Sequence, residues 1–121
     1  MTKLIAALLL MIPTLAIAQT PTSIAGKWKV TSTIAGNESS LDCTFTQTGT
    51  DLAGSCIGEQ GSVKITGKVD GASVSWSYAS DYNGTALTIT YKGKLTDGKI
   101  TGEAAVDPFG VTGEFTATLQ K

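Results

Sequence analysis

The chain predicts an all-β protein, an eight-stranded antiparallel up-and-down β-barrel preceded by a signal peptide. Three observations lead there. Turn-forming residues recur at intervals of roughly a dozen positions after Gly26. Between the turns, apolar and polar residues alternate with a period of two. Glycine returns repeatedly on the apolar side of that alternation, where closed sheets need sharp bends.

The N-terminal segment stands apart. Residues 1–18, MTKLIAALLLMIPTLAIA, place Lys3 before an apolar run that ends in the small-x-small pattern Ala16-Ile17-Ala18. The run is short for a membrane span and has secretory flanks, so it predicts a signal peptide cleaved before Gln19 and a secreted or periplasmic protein. No cysteine of the lipoprotein type follows, so no membrane anchor is expected after cleavage. Residues 19–25 (QTPTSIA) read as a polar lead-in, and residues 26–121 as one barrel domain.

Composition narrows the function. After residue 18 the chain has eight lysines, no arginine and no histidine against ten acidic residues. This mildly acidic balance speaks against nucleic acid as a partner. Without histidine, imidazole acid–base chemistry and His-ligated metal sites are excluded. The carboxylates are scattered singly over turns and strand exteriors. Asp81 beside Tyr82 and Asn83 reads as a solvated turn residue before it reads as a cation ligand. The glycines open no helix, so they are not phosphate loops. No cofactor is predicted, and the chain is expected not to be an enzyme.

The strands follow in order. Gly26-Lys27-Trp28 opens the first, Lys27–Ile34, with a turn read at Gly36-Asn37. Leu41–Gly58 forms a hairpin about Gly49-Thr50 in which Thr48 faces Asp51, Phe45 faces Gly54 and Cys43 faces Cys56. The two cysteines thus oppose each other on the inner face and predict a disulfide, which an exported protein can form. After Gly58–Gly61, the residues Val63, Ile65, Gly67 and Val69 face inward. A two-residue loop at Asp70-Gly71 then sets Val69 against Ala72, Gly67 against Val74 and Ile65 against Trp76. Val74, Trp76 and Tyr78 point inward ahead of Asn83-Gly84, and Leu87, Ile89, Tyr91, Gly93 and Leu95 after it. The Asp97-Gly98 turn pairs Leu95 with Ile100, Gly93 with Gly102 and Lys92 with Glu103. A four-residue loop, Asp107–Gly110, sets Phe115 opposite Gly102. The last strand, Val111–Leu119, with Phe115, Ala117 and Leu119 inward, closes on the first. A one-residue slip would turn every apolar side chain to water, so the registers are strongly specified. Phe45 over Gly54 and Phe115 over Gly102 are read as aromatics covering cross-strand glycines.

These motifs resemble a known architecture. Gly26-Lys27-Trp28 after a short polar N-terminus is similar to the opening Gly-x-Trp of lipocalin-like and avidin-like (calycin-type) barrels. The strand–turn–strand from Ile65 to Trp76 and the Gly-Lys/Gly-Glu strand motifs at Gly93, Gly102 and Gly113 look like that architecture as well. The resemblance spans about residues 26–119. It implies the fold and a function of holding a small apolar ligand, with the early Trp plugging one end. A second resemblance, in size, export, early Trp and single disulfide, is to small periplasmic barrel inhibitors of bacterial metalloproteases, which act through a flexible N-terminus.

The inner aromatic set then carries the functional reading. Trp28, Phe45, Trp76, Tyr78, Tyr91 and Phe115 either fill the barrel as a core or wall a pocket, because an eight-stranded barrel is just wide enough for either. The preferred function is a non-enzymatic exported binding protein that holds a small hydrophobic ligand or contacts an extracytoplasmic protein at one rim. The alternatives are an inhibitor-like barrel acting through its N-terminus or loops, and a purely structural filled barrel. The rim opposite Trp28, carrying the turns at Gly36-Asn37, Gly58–Gly61, Asn83-Gly84 and Asp107–Gly110, is the expected site. Its candidate residues are Tyr78, Tyr82, Phe109, Trp76 and Tyr91.

Overall fold

A computed structural model describes residues 23–59 and 61–120. The segment read as a signal peptide, most of the lead-in, and Gln60 in the Gly58–Gly61 turn lie outside the described residues. The strands are β1 (Gly26–Ile34), β2 (Asn37–Thr48), β3 (Asp51–Gly58), β4 (Gly61–Asp70), β5 (Ser73–Tyr82), β6 (Thr85–Thr96), β7 (Lys99–Asp107) and β8 (Val111–Leu119). Each pairs antiparallel with its neighbour in sequence, and β8 pairs back on β1, so the sheet is a closed barrel in the order β1 to β8.

Most of the registers are those the alternation dictates. Cys43 faces Cys56 and Phe45 faces Gly54. Leu95 faces Ile100, and Gly93 faces Gly102. Gly102 also faces Phe115. The disulfide joins Cys43 to Cys56 across β2 and β3, with Cα atoms 4.0 Å apart, and both half-cystines are buried on the inner face.

Two turns differ from the sequence reading. The β4–β5 turn is Gly71-Ala72, so Val69 faces Val74 and Gly67 faces Trp76. Only Gly71 has a positive φ there, 58°. This is the pattern of a type II′ turn, which needs glycine at its first central position, whereas Asp-Gly at both central positions would suit type I′. The shift is of two residues in pairing, so each side chain keeps its face and two large apolar residues meet. At β1–β2 the turn is Ala35-Gly36, with φ of 52° and 80°, and Ile34 faces Asn37. Asn83-Gly84 and Asp97-Gly98 show the same double positive φ and fall where predicted. The Asp107-Pro108 peptide is cis.

The core is aromatic at its centre. The Trp76 ring stacks on Tyr91 with centroids 5.1 Å apart, and the Phe45 and Phe115 rings approach Trp76 at 5.0 and 5.3 Å. Val30, Leu52, Ile65, Val69, Val74, Ile100, Ala104 and Ala117 complete the packing. Leu119, expected inside, is 47% exposed. It keeps the inward parity, but it ends β8 below the core.

The inner glycines allow the strands to close. A Cβ at Gly102 would lie 2.0 Å from the Lys92 carbonyl oxygen and 2.4 Å from Gly93 Cα. At Gly54 it would lie 2.0 Å from the Thr44 carbonyl oxygen. The sequence reading assigned these glycines to the aromatic ring opposite. The nearest obstacle at both positions is instead the neighbouring strand's backbone.

Candidate functional site

The two ends of the barrel are built differently. At the β1 start, Ile24 folds under the sheet and is 1% exposed. Its amide donates to Gln47 Oε1 (2.8 Å), and its carbonyl accepts a hydrogen bond from Trp28 Nε1 (2.8 Å). Trp28 is itself buried, as an end plug would be. The lead-in thus contributes an apolar floor residue, and the β1–β8 junction is tied by Gln120 N donating to the Lys27 carbonyl (2.8 Å). The hydrogen-bonding groups of Ile24 and Trp28 are thus satisfied and both side chains are buried, so the two plug this end.

At the opposite end the aromatic core stops short of the rim. A cavity of about 620 Å³ opens there among the upper inner faces of β2 to β6. Leu41, Val63, Ile89 and Tyr78 give it apolar walls, Ser39 and Ser80 add hydroxyls, and Glu38 and Glu59 stand at its edge. Tyr78 marks the boundary: its ring lies over Tyr91, 6.1 Å between centroids, with the packed core on the other side. Burial pushes the Tyr78 phenol above its ordinary range, and the neighbouring Tyr91 hydroxyl adds to the shift. The phenol is therefore a neutral hydrogen-bonding group at any physiological pH. Beside the cavity, Ser32 and Ser39 share a hydrogen bond of 3.0 Å between their hydroxyls, and Ser32 is buried. The interior is thus filled below and open above, where the sequence had posed these as alternatives.

The five predicted candidates fall into three places. Tyr78 lines the cavity. Trp76 and Tyr91 are 1% and 2% exposed, packed in the core beneath it. Tyr82 and Phe109 are exposed at the same rim and stand outside the cavity wall. The rim itself is not made of long loops. Ala35-Gly36 and Asn83-Gly84 are two-residue turns, and only the β7–β8 connection, Pro108–Gly110, is longer. What deepens this end is strand length, since β5 and β6 run on past the core to Tyr82 and Thr85.

Sequence reasoning placed Val63 and Ile89 inside without assigning them to the mouth, and it passed over Leu41, Ser39 and Ser80. Their signal was positional. Each lies on the inward parity within six residues of an open-end turn. Small hydroxyls at inward positions were available as a sign that the core does not extend so far.

A larger, shallower hollow of about 1120 Å³ lies on the outer surface across β4 to β8. Lysine, glutamate and threonine side chains wall it, among them Lys68, Lys92, Glu103 and Thr112, and the buried Val74 and Phe115 also line it. Lys92 faces Glu103 there in register. The ion pair among the described residues is Lys68–Asp51, and both partners are well exposed. Water competes for all of these groups, whereas the mouth cavity is the more recessed of the two and carries the aliphatic side chains Leu41, Val63 and Ile89.

Together the shut floor, packed waist and open mouth define the class. The chain is a closed eight-stranded antiparallel meander barrel, an architecture consistent with a calycin-like fold. No protein-family model matches the chain, and no curated protein sequence matches it.

Proposed function

We propose that the protein is a non-enzymatic, exported binding protein that takes one small, largely apolar molecule into the mouth opposite Trp28. The observation that carries this reading is the cavity of about 620 Å³ above Tyr78, with aliphatic walls and a few hydroxyls. Such a site suits a ligand whose body is apolar and whose orientation is set by one or two hydrogen bonds. The calycin-like architecture supports the same reading, as does the Gly26-Lys27-Trp28 opening with its plugging indole. The disulfide supports an oxidising compartment, and the apolar residues 4–15 after Lys3 support export. Kinship with lipocalin-like or avidin-like barrels belongs to this proposal.

The test uses N-phenyl-1-naphthylamine, a neutral apolar fluorophore, titrated into the purified protein. Saturable binding that is lost in Ile89→Trp, which fills the mouth, and weakened in Tyr78→Ala is the expected result. Tyr82→Ala and Phe109→Ala, on the rim, should have smaller effects. Binding that survives Ile89→Trp but is lost on altering the Gly71-Ala72 end would place the site at the wrong end of the barrel.

A further inference from the structure

The charges of the barrel are sorted by end. At the open end, counting the turns and the last two residues of each adjoining strand, the described residues include Glu38, Glu59, Asp81 and Asp107 and no lysine. The nearest lysine, Lys64, is the fourth residue of β4, exposed on the outer face and outside the cavity wall. At the closed end Lys27 and Lys99 stand at strand starts, with Lys68 and Lys94 two residues before strand ends, interleaved with Asp51, Asp70 and Asp97. The mouth is therefore ringed by one sign of charge, whereas the floor is mixed.

Two of those carboxylates, Glu38 and Glu59, border the apolar cavity itself. The polar groups inside it are hydroxyls, which accept a hydrogen bond as readily as they donate one. Tyr78 offers an aromatic surface within the cavity, and Tyr82, on the same inward parity of β5, offers a second at the rim. A slot with aliphatic walls, the Tyr78 ring inside it, Tyr82 at the rim outside it and an anionic edge suits an apolar body carrying a cationic amine or quaternary ammonium head. The head is attracted by the carboxylates and by the ring faces. An anionic head, such as a fatty carboxylate, would meet like charge at this rim.

We infer that the mouth selects cationic amphiphiles over neutral and anionic ones of the same body. This rests on the mouth being the binding site, and the experiment separates the two claims. Decyltrimethylammonium, decanol and decanoate share one chain and differ in head charge; each is titrated calorimetrically below its micelle concentration, at pH 7.5 and low salt. The expected order is cation, then alcohol, then carboxylate, with about tenfold between the two ions, the scale of two exposed charge contacts. Raising the salt should compress the spread. The double variant Glu38→Gln/Glu59→Gln should weaken decyltrimethylammonium binding several-fold and narrow the spread between the two ions, whereas Asp70→Asn at the closed end should change nothing. Equal binding of all three, or a spread that the double variant does not narrow, overturns the charge selectivity while leaving the mouth as the site. Binding of none of them, or binding that Ile89→Trp does not remove, overturns the mouth as the site.

Discussion

Replacing Gly102 by alanine is the sharpest test of how the barrel closes. The added carbon would sit 2.0 Å from the Lys92 carbonyl oxygen and 2.4 Å from Gly93 Cα, both backbone atoms of β6. Ordinary contact between such atoms begins near 3.5 Å, so β6 and β7 must part by more than about 1 Å. Overpacking of this kind costs about 1–3 kcal/mol. Stretching a ladder hydrogen bond removes about 1 kcal/mol more. Alanine restricts the unfolded chain and returns about 0.4–1 kcal/mol. The net loss is about 1–3.5 kcal/mol, which for a domain of this size lowers Tm by about 5–25 °C. Thermal unfolding followed by circular dichroism reads this directly. Thr116→Val, on the outer face, should stay within about 0.5 kcal/mol of the parent. Because Gly93 faces Gly102, Gly93→Ala alone should also destabilise, and the double variant should lose less than the sum once the strands have already separated. A Tm for Gly102→Ala within about 3 °C of the parent would refute the close strand approach.

Reducing the Cys43–Cys56 bridge, whose ends are 13 residues apart, should lower stability by about 3 kcal/mol, measured by urea unfolding with and without reductant; mass spectrometry of the oxidised protein should find no free thiol. Ile24→Ala should cost about 2–4 kcal/mol, because it empties the floor beneath Trp28. Tyr78 is an acid whose folded pKa is raised, so its contribution is fully present below the unfolded value of about 10 and is lost as pH rises above it. Urea unfolding between pH 9 and 11 should therefore show a steeper alkaline decline in the parent than in Tyr78→Phe.

The barrel was legible because local chemistry and global pattern agree along most of the chain. Asp97-Gly98 and Asn83-Gly84 demand tight turns, and the alternation of Leu87 to Leu95 and of Ile100 to Val106 gives each strand a side. Gly71-Ala72 was misread because Asp70-Gly71 is also a good turn dipeptide. The choice between them rests on Val74 packing against Val69, a contact across strands that local pattern does not weigh. The site was harder to read. Trp76 and Tyr78 carry the same inward signal, yet one is core and the other borders a cavity, since depth along the barrel depends on where every strand begins. Ile24 looked like part of a polar tail, and only its hydrogen bonds to Gln47 and Trp28 mark it as the floor.

The pairing of β1 with β8 has a consequence for biogenesis. A chain made from its N-terminus presents β1 first and its closing partner last. Until Val111–Leu119 arrives, Gly26–Ile34 has an unpaired edge, and the sheet cannot roll shut. The seam joins residues about 80 to 90 positions apart, so a large loop must be closed late, which makes complete folding slow relative to the local hairpins. Hairpins such as β2–β3 can form as soon as their two strands are present, whereas the sealed cylinder cannot. The cylinder is therefore finished only when the last strand is free to reach the first.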